Sequence, residues 1–485
     1  MPNFVPVFQA RKGLSIFIFG VVTMGVALAV YVLSNLFFKS GFMTEFIWNV
    51  NTFRGMFVRL PDHLPKDNVL SAYAIAFKDF YAHDIRSVAE NAFYYSVFTS
   101  GVCALGLISF FAQTFLEPGR FARRFTKLAP YAVIGLTGIG IRLFFAYHTT
   151  GNQDMALTYI DKEFLASGSN IYVASDTFNY SPLWYWIVRC LDLISQAFPR
   201  IPFTFLERAF TSVIDLFVFA TVVEIAKLIG KSPIKAGAFF FLNPIPIIIS
   251  GYHGQIEGFI IMFLLFALCL YLKWKDKALY PGWLLITVGV TIKHLIFNQI
   301  LVYLAHLERS WKKILLLCLL SGAVFVASFA PYLLEGYKEI LSDVIRYGGV
   351  VRSYGFGLVG LYPKVFPFYK ILFIGLLTLW PFLTRCQSIL KSSLITILLF
   401  LTFTPGISAQ QFVLPVALAA LSPSLGFWLY TAVASLFLLG NIDELKIAAF
   451  SIVDWPFVWI VVVVWFAMEL SSGCVFGRRA YNTAP

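Results

Sequence analysis

The sequence predicts an all-α polytopic membrane protein, and three observations carry that expectation. Of the 485 residues, 59% are hydrophobic and only 13% charged, against roughly 25% charged in soluble domains. Apolar runs of membrane-helix length recur along the chain, and in lipid only helices or closed barrels satisfy the backbone. The runs exceed the about 9–11 residues of a barrel strand, which leaves helices. The net charge of +12 is divided among short Lys/Arg clusters between the apolar runs. That is the positive-inside pattern of a threaded chain, and it argues against a nucleic-acid partner.

The clusters order the spans. Arg11 and Lys12 precede a first span near 14–38, too long for a cleavable signal peptide, so the N-terminus is expected in the cytoplasm. The mixed stretch 39–91 reads as an outer loop with interfacial amphipathic pieces such as Leu70 to Tyr81. A span near 92–116 returns to Arg120, Arg123, Arg124 and Lys127, and one near 129–148 leads outward again. The segment Pro182 to Phe198 reads as surface-lying or re-entrant, because a crossing there would put Lys227, Lys231 and Lys235 outside. Spans near 205–228, 235–250 and 257–273 follow, then two shorter pieces that meet at Lys293-His294. The run 313–331 leads out to a polar loop holding Arg346 and Arg352. Segments 367–384 and 393–405 bracket a return, and the last spans close at Arg478 and Arg479. The expected count is about 12–14 transmembrane helices with both termini cytoplasmic. The six cysteines form no CxxC pair and fall mostly inside apolar runs. They are expected as packing thiols, with no disulfide frame and no metal site.

Within this apolar chain the stretch Gly151 to Trp186 is a charged island, carrying Asp154, Asp161, Glu163 and Asp176 directly after a membrane-length run. A carboxylate at the mouth of a span is costly unless it is used or paired. The threading collects further polar residues at the same, outer ends: Asn243-Pro244, His253, Gln255, Glu257, Lys293, His294, Arg346, Arg352, Gln410 and Gln411. The inner ends collect ordinary lysines and arginines. The working face is therefore expected on the periplasmic or lumenal side. Nucleoside-diphosphate sugars are cytoplasmic, so a sugar-handling enzyme facing outward needs a donor presented from the membrane, such as a polyprenyl- or dolichyl-phosphate sugar.

Four motifs in order resemble the GT-C superfamily of integral-membrane glycosyltransferases, in particular its mannosyl- and glucosyltransferase branches. They are Asp154 followed by Gly168, Tyr172, Tyr180, Ser181, Pro182 and Leu183; Arg208 with Asp215; the segment LNPIPIIISGYHGQIEGF; and TIKHLIFNQILVYL with SAQQFVLPVAL. The resemblance covers roughly 129–440. Gln411 stands where that family usually carries an aromatic, and two spans precede its usual first helix. The resemblance implies a GT-C-like catalytic core over 129–440, with juxtamembrane helices in the first outer loop. Residues 1–128 then form an N-terminal transmembrane extension, and 441–485 a C-terminal segment with a short cytoplasmic tail.

The implied reaction is an inverting hexosyl transfer, mannose or glucose, from the lipid-phosphate carrier to a glycan, glycolipid or protein acceptor. A lipid phosphate leaves without an acid catalyst but needs cations for its developing charge, and the acceptor hydroxyl needs a positioned base. Asp154 is the expected base. Lys293, His294, Arg346 and Arg352 are the expected phosphate ligands. Tyr180, Trp184, His253, Gln255, Glu257 and Gln410 are the expected substrate contacts. No cofactor is expected, and no DxD pair signals a metal.

Each residue also has a plainer reading. Asp154 can cap a helix, and Asp161 beside Lys162 reads as a solvated face residue. Lys293, dear to bury at about 3 kcal/mol at a bilayer centre, can simply pair with Glu257. Arg208 and Asp215, seven apart on one helical face, suit a structural pair between helices better than catalysis. A transporter or lipid flippase is the rival function, but it calls for two related halves, which the sequence does not display. A non-catalytic scaffold subunit would leave the outer polar set superfluous. Short loops favour a bacterial inner membrane, and an endoplasmic reticulum satisfies the same topology.

Overall fold

The computed structural model describes residues 120–149, 151–175, 178–345, 366–404, 407–441, 450 and 452–472. The expected spans 14–38 and 92–116, the loop 39–91 and the basic pair Arg478 and Arg479 lie outside the described residues. The chain divides into two compact units, residues 1–75 with 85–140 and residues 76–84 with 141–485. Of the first, the described part is the helical stretch 120–140. The site described below lies wholly in the second.

The described residues are helical and contain no strand. Helix α1 is Arg120–His148. The outer-loop island follows as α2 (Gln153–Ala166), a single turn α3 (Ile171–Ala174) and α4 (Pro182–Ala197). Helix α5, Phe203–Leu228, has 26 residues and so rises about 39 Å, more than the about 30 Å of a hydrocarbon core. Next come α6 (Pro233–Phe241) and α7 (Pro244–Tyr252), bent by 43°. The break has a local cause, since Pro244 offers no backbone N–H and Asn243 caps the new helix by accepting from the Ile245 N–H at 3.0 Å.

Helices α8 (Glu257–Trp274) and α9 (Leu279–Ile292) are joined by the short turn Lys275–Ala278. The start of α8 and the residue after α9 meet in an ion pair, Glu257 with Lys293 at 2.6 Å, so the two helices run antiparallel. Helix α10 (Asn298–Leu307) packs on α9, where the Tyr303 side chain fills the notch left by Gly282. The remainder is α11 (Trp311–Ser328), α12 (Leu333–Glu339), α13 (Phe366–Leu383), α14 (Ile389–Phe403), α15 (Val416–Ala420), α16 (Leu425–Asn441) and α17 (Trp455–Ser471).

Among the described residues, four helical stretches are long and apolar enough to cross a membrane, or five if the bent pair α6–α7 counts as one span. Shorter apolar helices, α13, α14, α16 and α17 among them, surround these. Large apolar side chains also face outward where a soluble protein would place polar ones. Leu315, Leu316, Leu319 and Leu320 on α11, Ile371, Leu372 and Leu379 on α13, and Phe457 and Ile460 on α17 are all exposed. These features fit a multi-pass membrane protein. Helix α4 has 16 residues, is buried along Trp184, Tyr185 and Val188, and is not among the apolar stretches of crossing length.

Charge separates along the helix axes. At one end Glu224 binds Lys273 at 2.8 Å and Lys227 at 3.3 Å, Glu308 binds Lys313 at 2.8 Å, and Arg385 donates to the Ala305 and Glu308 carbonyls. The opposite ends of α5, α8 and α9 carry the island and the residues that meet it.

Candidate functional site

The turn into α2 is built around Met155. Gly151 and Gly254 flank it at φ +81° and +69°. A Cβ would stand 2.6 Å from the Met155 Cγ at the first position and 2.4 Å from its Sδ at the second, so only glycine fits both the backbone and the space. Asn152 caps α2, its Oδ1 accepting from the Met155 N–H at 3.3 Å.

That cap places Asp154 in the first helical turn, where the helix dipole favours a carboxylate. Its Oδ2 accepts from the Gln255 Nε2 at 2.9 Å and from the Asn152 Nδ2 at 3.4 Å. Burial raises the Asp154 carboxyl above its ordinary range. The field of Lys293 and the Asn152 bond offset part of this, and the nearby Glu257 charge adds to it.

The remaining polar groups converge on the same point from α7, α8 and α9. Lys293 follows the last turn of α9, and its Nζ donates to the Glu257 Oε1 at 2.6 Å. Only 12% of the Lys293 side chain is exposed, and none of Glu257. The ammonium lies 4.9 Å from the centre of the Tyr180 ring, and the Tyr180 hydroxyl donates to the Gln255 Oε1 at 3.4 Å. His253 is buried, with its Nδ1 3.3 Å from the Asn152 Nδ2. Among the described residues, two buried atoms of the cluster, His253 Nε2 and Glu257 Oε2, have no hydrogen-bond partner. Six predicted residues, Asp154, Tyr180, His253, Gln255, Glu257 and Lys293, therefore form one constellation.

Others stand apart from it. Trp184 is buried behind Tyr180, with ring centres 6.3 Å apart, so it supports that ring. His294 packs edge-on against Phe325 of α11. Gln410 is half-buried on the turn Ala409–Val413, which packs against α8, and no hydrogen bond links its side chain to the cluster. Its neighbour Gln411 is buried with its Oε1 unbonded. Arg346, Arg352 and Asp176 lie outside the described residues.

One reading of the island needs correction. Asp161 is not solvated: it is 5% exposed and accepts from the Ser175 Oγ at 2.8 Å, and burial pushes its carboxyl up to about 7. Lys162 turns the other way, to Glu163 and over the Tyr159 ring. The helical period holds the clue, because Asp154, Thr158, Asp161 and Leu165 fall on one face of α2 while Lys162 does not. Arg208 and Asp215 each bond to another helix or its end, as a structural role between helices requires. Asp215 binds Arg142 at 3.0 Å, and Arg208 donates to the Thr149 carbonyl at 2.7 Å and the Thr149 hydroxyl at 2.8 Å.

Arg142 escaped the sequence reading although it stands inside the apolar run 129–148. It is fully buried and also donates to the Ser250 Oγ at 3.0 Å and the Phe241 carbonyl at 2.8 Å. Glu207 was missed as well. It is buried on α5 beside Arg208, within the fields of Asp161 and Asp154. Among the described residues, no three His, Cys, Asp or Glu side chains group as metal ligands.

Compared with known proteins, the chain matches no family model and no curated protein sequence.

Proposed function

We propose that this protein is an inverting, GT-C-like glycosyltransferase, moving a hexose from a polyprenyl- or dolichyl-phosphate carrier to a glycan, glycolipid or protein acceptor. The observation that carries the proposal is the constellation itself. A half-buried carboxylate, Asp154, is fixed by an asparagine and a glutamine beside a lysine–glutamate pair and a tyrosine face, at the end of the helices opposite the basic cluster.

In this reading Asp154 takes the acceptor hydroxyl proton as the acceptor oxygen bonds to the anomeric carbon. The bond from that carbon to the phosphate oxygen breaks, its electron pair leaves with the lipid phosphate, and the configuration inverts. A raised carboxyl is a stronger base than a solvated aspartate, which suits proton abstraction near neutrality. Gln255 and Asn152 aim it, since both donate to its Oδ2. Lys293, Arg346 and Arg352 stabilise the charge growing on the phosphate, and Tyr180 offers its ring face to the sugar. The positive-inside rule puts the basic ends in the cytoplasm and the site on the periplasmic side of a bacterial inner membrane, or the lumenal side in a eukaryote.

The test is turnover of a synthetic polyprenyl-phosphate mannose or glucose by the purified protein in nanodiscs, followed as acceptor-dependent release of lipid phosphate. Asp154→Asn is expected to lower kcat by about 10²–10⁴-fold with the thermal midpoint retained. Unchanged turnover would remove Asp154 as the base, and transport of an intact glycolipid without bond cleavage would favour a flippase.

A further inference from the structure

The ends of α8 and α9 away from the proposed transfer site carry a second polar group that the reaction does not use. Lys275 and Lys277 in the turn between these helices, and Lys312 in the first turn of α11, are exposed. Among the described residues none of the three forms an ion pair, and the one acid between them in sequence is the exposed Asp276. The seam between α9 and α11 brings the turn and Lys312 to one side. The Lys313 ammonium lies 5.3 Å from the Tyr280 ring centre, Trp283 donates its Nε1–H to the Ser321 hydroxyl at 2.8 Å, and Thr287 and Ser321 share a hydrogen bond of 2.8 Å. The two helices therefore run side by side in the same direction, starting at the lysines. Lys313 is already held by Glu308 at 2.8 Å, which leaves Lys275, Lys277 and Lys312 for a partner from outside.

Beyond the lysines the surface turns apolar. Tyr280 and Leu284 on α9, and Trp311, Leu315 and Leu319 on α11, are all exposed. Trp311, Leu315 and Leu319 recur at every fourth residue and share a face, covering about 12 Å of the axis, close to the about 15 Å of hydrocarbon in one leaflet. Cations, aromatic rings and leucines thus follow one another along the helices, the order of headgroup anion, interface and acyl chain in a phospholipid. Lys275 carries a further mark. Its φ is +51°, the one positive value at a non-glycine among the described residues. Glycine adopts that conformation freely and lysine only at a cost, which a use for its ammonium explains. We propose that the α8–α9 turn and the first turn of α11 form a site for an anionic phospholipid of the adjoining leaflet. Lys275, Lys277 and Lys312 hold its headgroup phosphate, and one acyl chain lies along Leu284, Leu315 and Leu319. A zwitterionic lipid fits less well, because its own ammonium meets the lysines. The turn joins the two helices whose far ends carry Glu257 and Lys293, so the lipid braces them at the end that this ion pair does not reach. The assignment does not depend on the transferase reading.

The test puts a fluorophore on the acyl-chain face. Full-length protein freed of its native cysteines, with Leu284→Cys labelled by bimane, is reconstituted in phosphatidylcholine vesicles. A rising fraction of the lipid is replaced by phosphatidylglycerol or by phosphatidylcholine brominated on the chains, which quenches a label it touches. Each lysine beside an anionic headgroup is worth about fivefold, so brominated phosphatidylglycerol is expected to quench at a mole fraction about 10–100-fold lower than brominated phosphatidylcholine. Lys275→Gln, Lys277→Gln and Lys312→Gln together should abolish the difference. Lys275→Gly, which suits the backbone at φ +51°, should reduce it about fivefold. Equal quenching by the two lipids in the parent protein overturns the proposal, and so does a preference that survives the triple variant. A label that neither lipid quenches is covered by protein, such as a second copy, and overturns it as well. An equal loss of preference from Lys231→Gln with Lys235→Gln, exposed at the start of α6, reduces the effect to diffuse surface charge and has the same consequence.

Discussion

Lys293 and Glu257 allow a structural role to be separated from a catalytic one. Glu257 has no exposed surface, and its Oε2 has no hydrogen-bond partner among the described residues. Replacing Lys293 with Met takes away the cation bonded to that carboxylate among the described residues and leaves a buried charge uncompensated. Breaking a buried pair in this way costs about 3–5 kcal/mol. Replacing both, as Lys293→Met with Glu257→Leu, removes the uncompensated charge along with its partner and is expected to return stability to within about 1–2 kcal/mol of the parent protein. The cycle is read by thermal unfolding in nanodiscs, with hexosyl transfer measured on the same samples. The double variant is expected to be folded and inactive, because the site has lost the lysine proposed to stabilise the leaving phosphate. If Lys293→Met is no less stable than the double variant, the pair does not hold the fold. If the double variant keeps wild-type turnover, Lys293 has no part in the chemistry.

Three further outcomes are expected. Asp161 has a folded pKa of about 7 against an ordinary value of 3.8, so its contribution to stability is present below about pH 4 and is lost as pH rises through about 7. The full swing is about 4 kcal/mol, and Asp161→Asn should flatten the unfolding midpoint over that range; an unchanged pH slope would refute the assignment. Asp215→Asn leaves Arg142 fully buried without its carboxylate, and should destabilise the protein by about 3–5 kcal/mol in denaturation or proteolysis assays. A cysteine at exposed position 166, in a protein freed of its native cysteines, should react with a membrane-impermeant maleimide from the outer side. Reaction only from the cytoplasmic side would invert the topology. Position 152 is unsuitable for this purpose, because Asn152 caps α2 and orders the site.

The sequence made the site legible because the rest of the chain is so apolar. Asp154, His253, Gln255, Glu257 and Lys293 are costly at the ends of lipid-soluble helices, and threading by the basic clusters put them all on one side. What it concealed were the partners. Arg142 lies 73 residues from Asp215 in sequence, and nothing in a single sequence chooses between Arg142 and Arg208 as the arginine that Asp215 binds. The pairing follows from where α5 crosses α1, with Gly258 close against the Asp215 carboxylate and Gly251 against the Arg142 backbone. Asp161 was misread because its flanking Lys162 and Glu163 are charged, and local composition outweighed helical periodicity. The Lys293–Glu257 pair, by contrast, is the partner assignment the sequence did contain, since each is the isolated charge beside its own apolar run.

The rival carrier reading fares differently against these contacts. An alternating-access protein must let its central charges exchange partners or let the helices around them rock. Here the junction between the first described span and the island is held at several points. Arg208 of α5 donates to the Thr149 carbonyl and hydroxyl, and Arg142 ties α1 to Asp215 of α5, Ser250 of α7 and the Phe241 carbonyl at the end of α6. Met155 is wedged between two glycines that admit no Cβ, and Gln255, one residue after the second of them, donates to Asp154. The carboxylate is thus fixed to the helices whose ends supply Glu257 and Lys293, and a motion that opened the site would break buried bonds to charged groups, each worth about 1.5–3 kcal/mol. A site held in place before its ligand arrives is what charge stabilisation in a transition state demands, because dipoles already oriented need not reorganise as the bond breaks. The same rigidity would be a handicap in a carrier. It is the packing around Asp154, as much as the residues gathered there, that favours bond-making over transport.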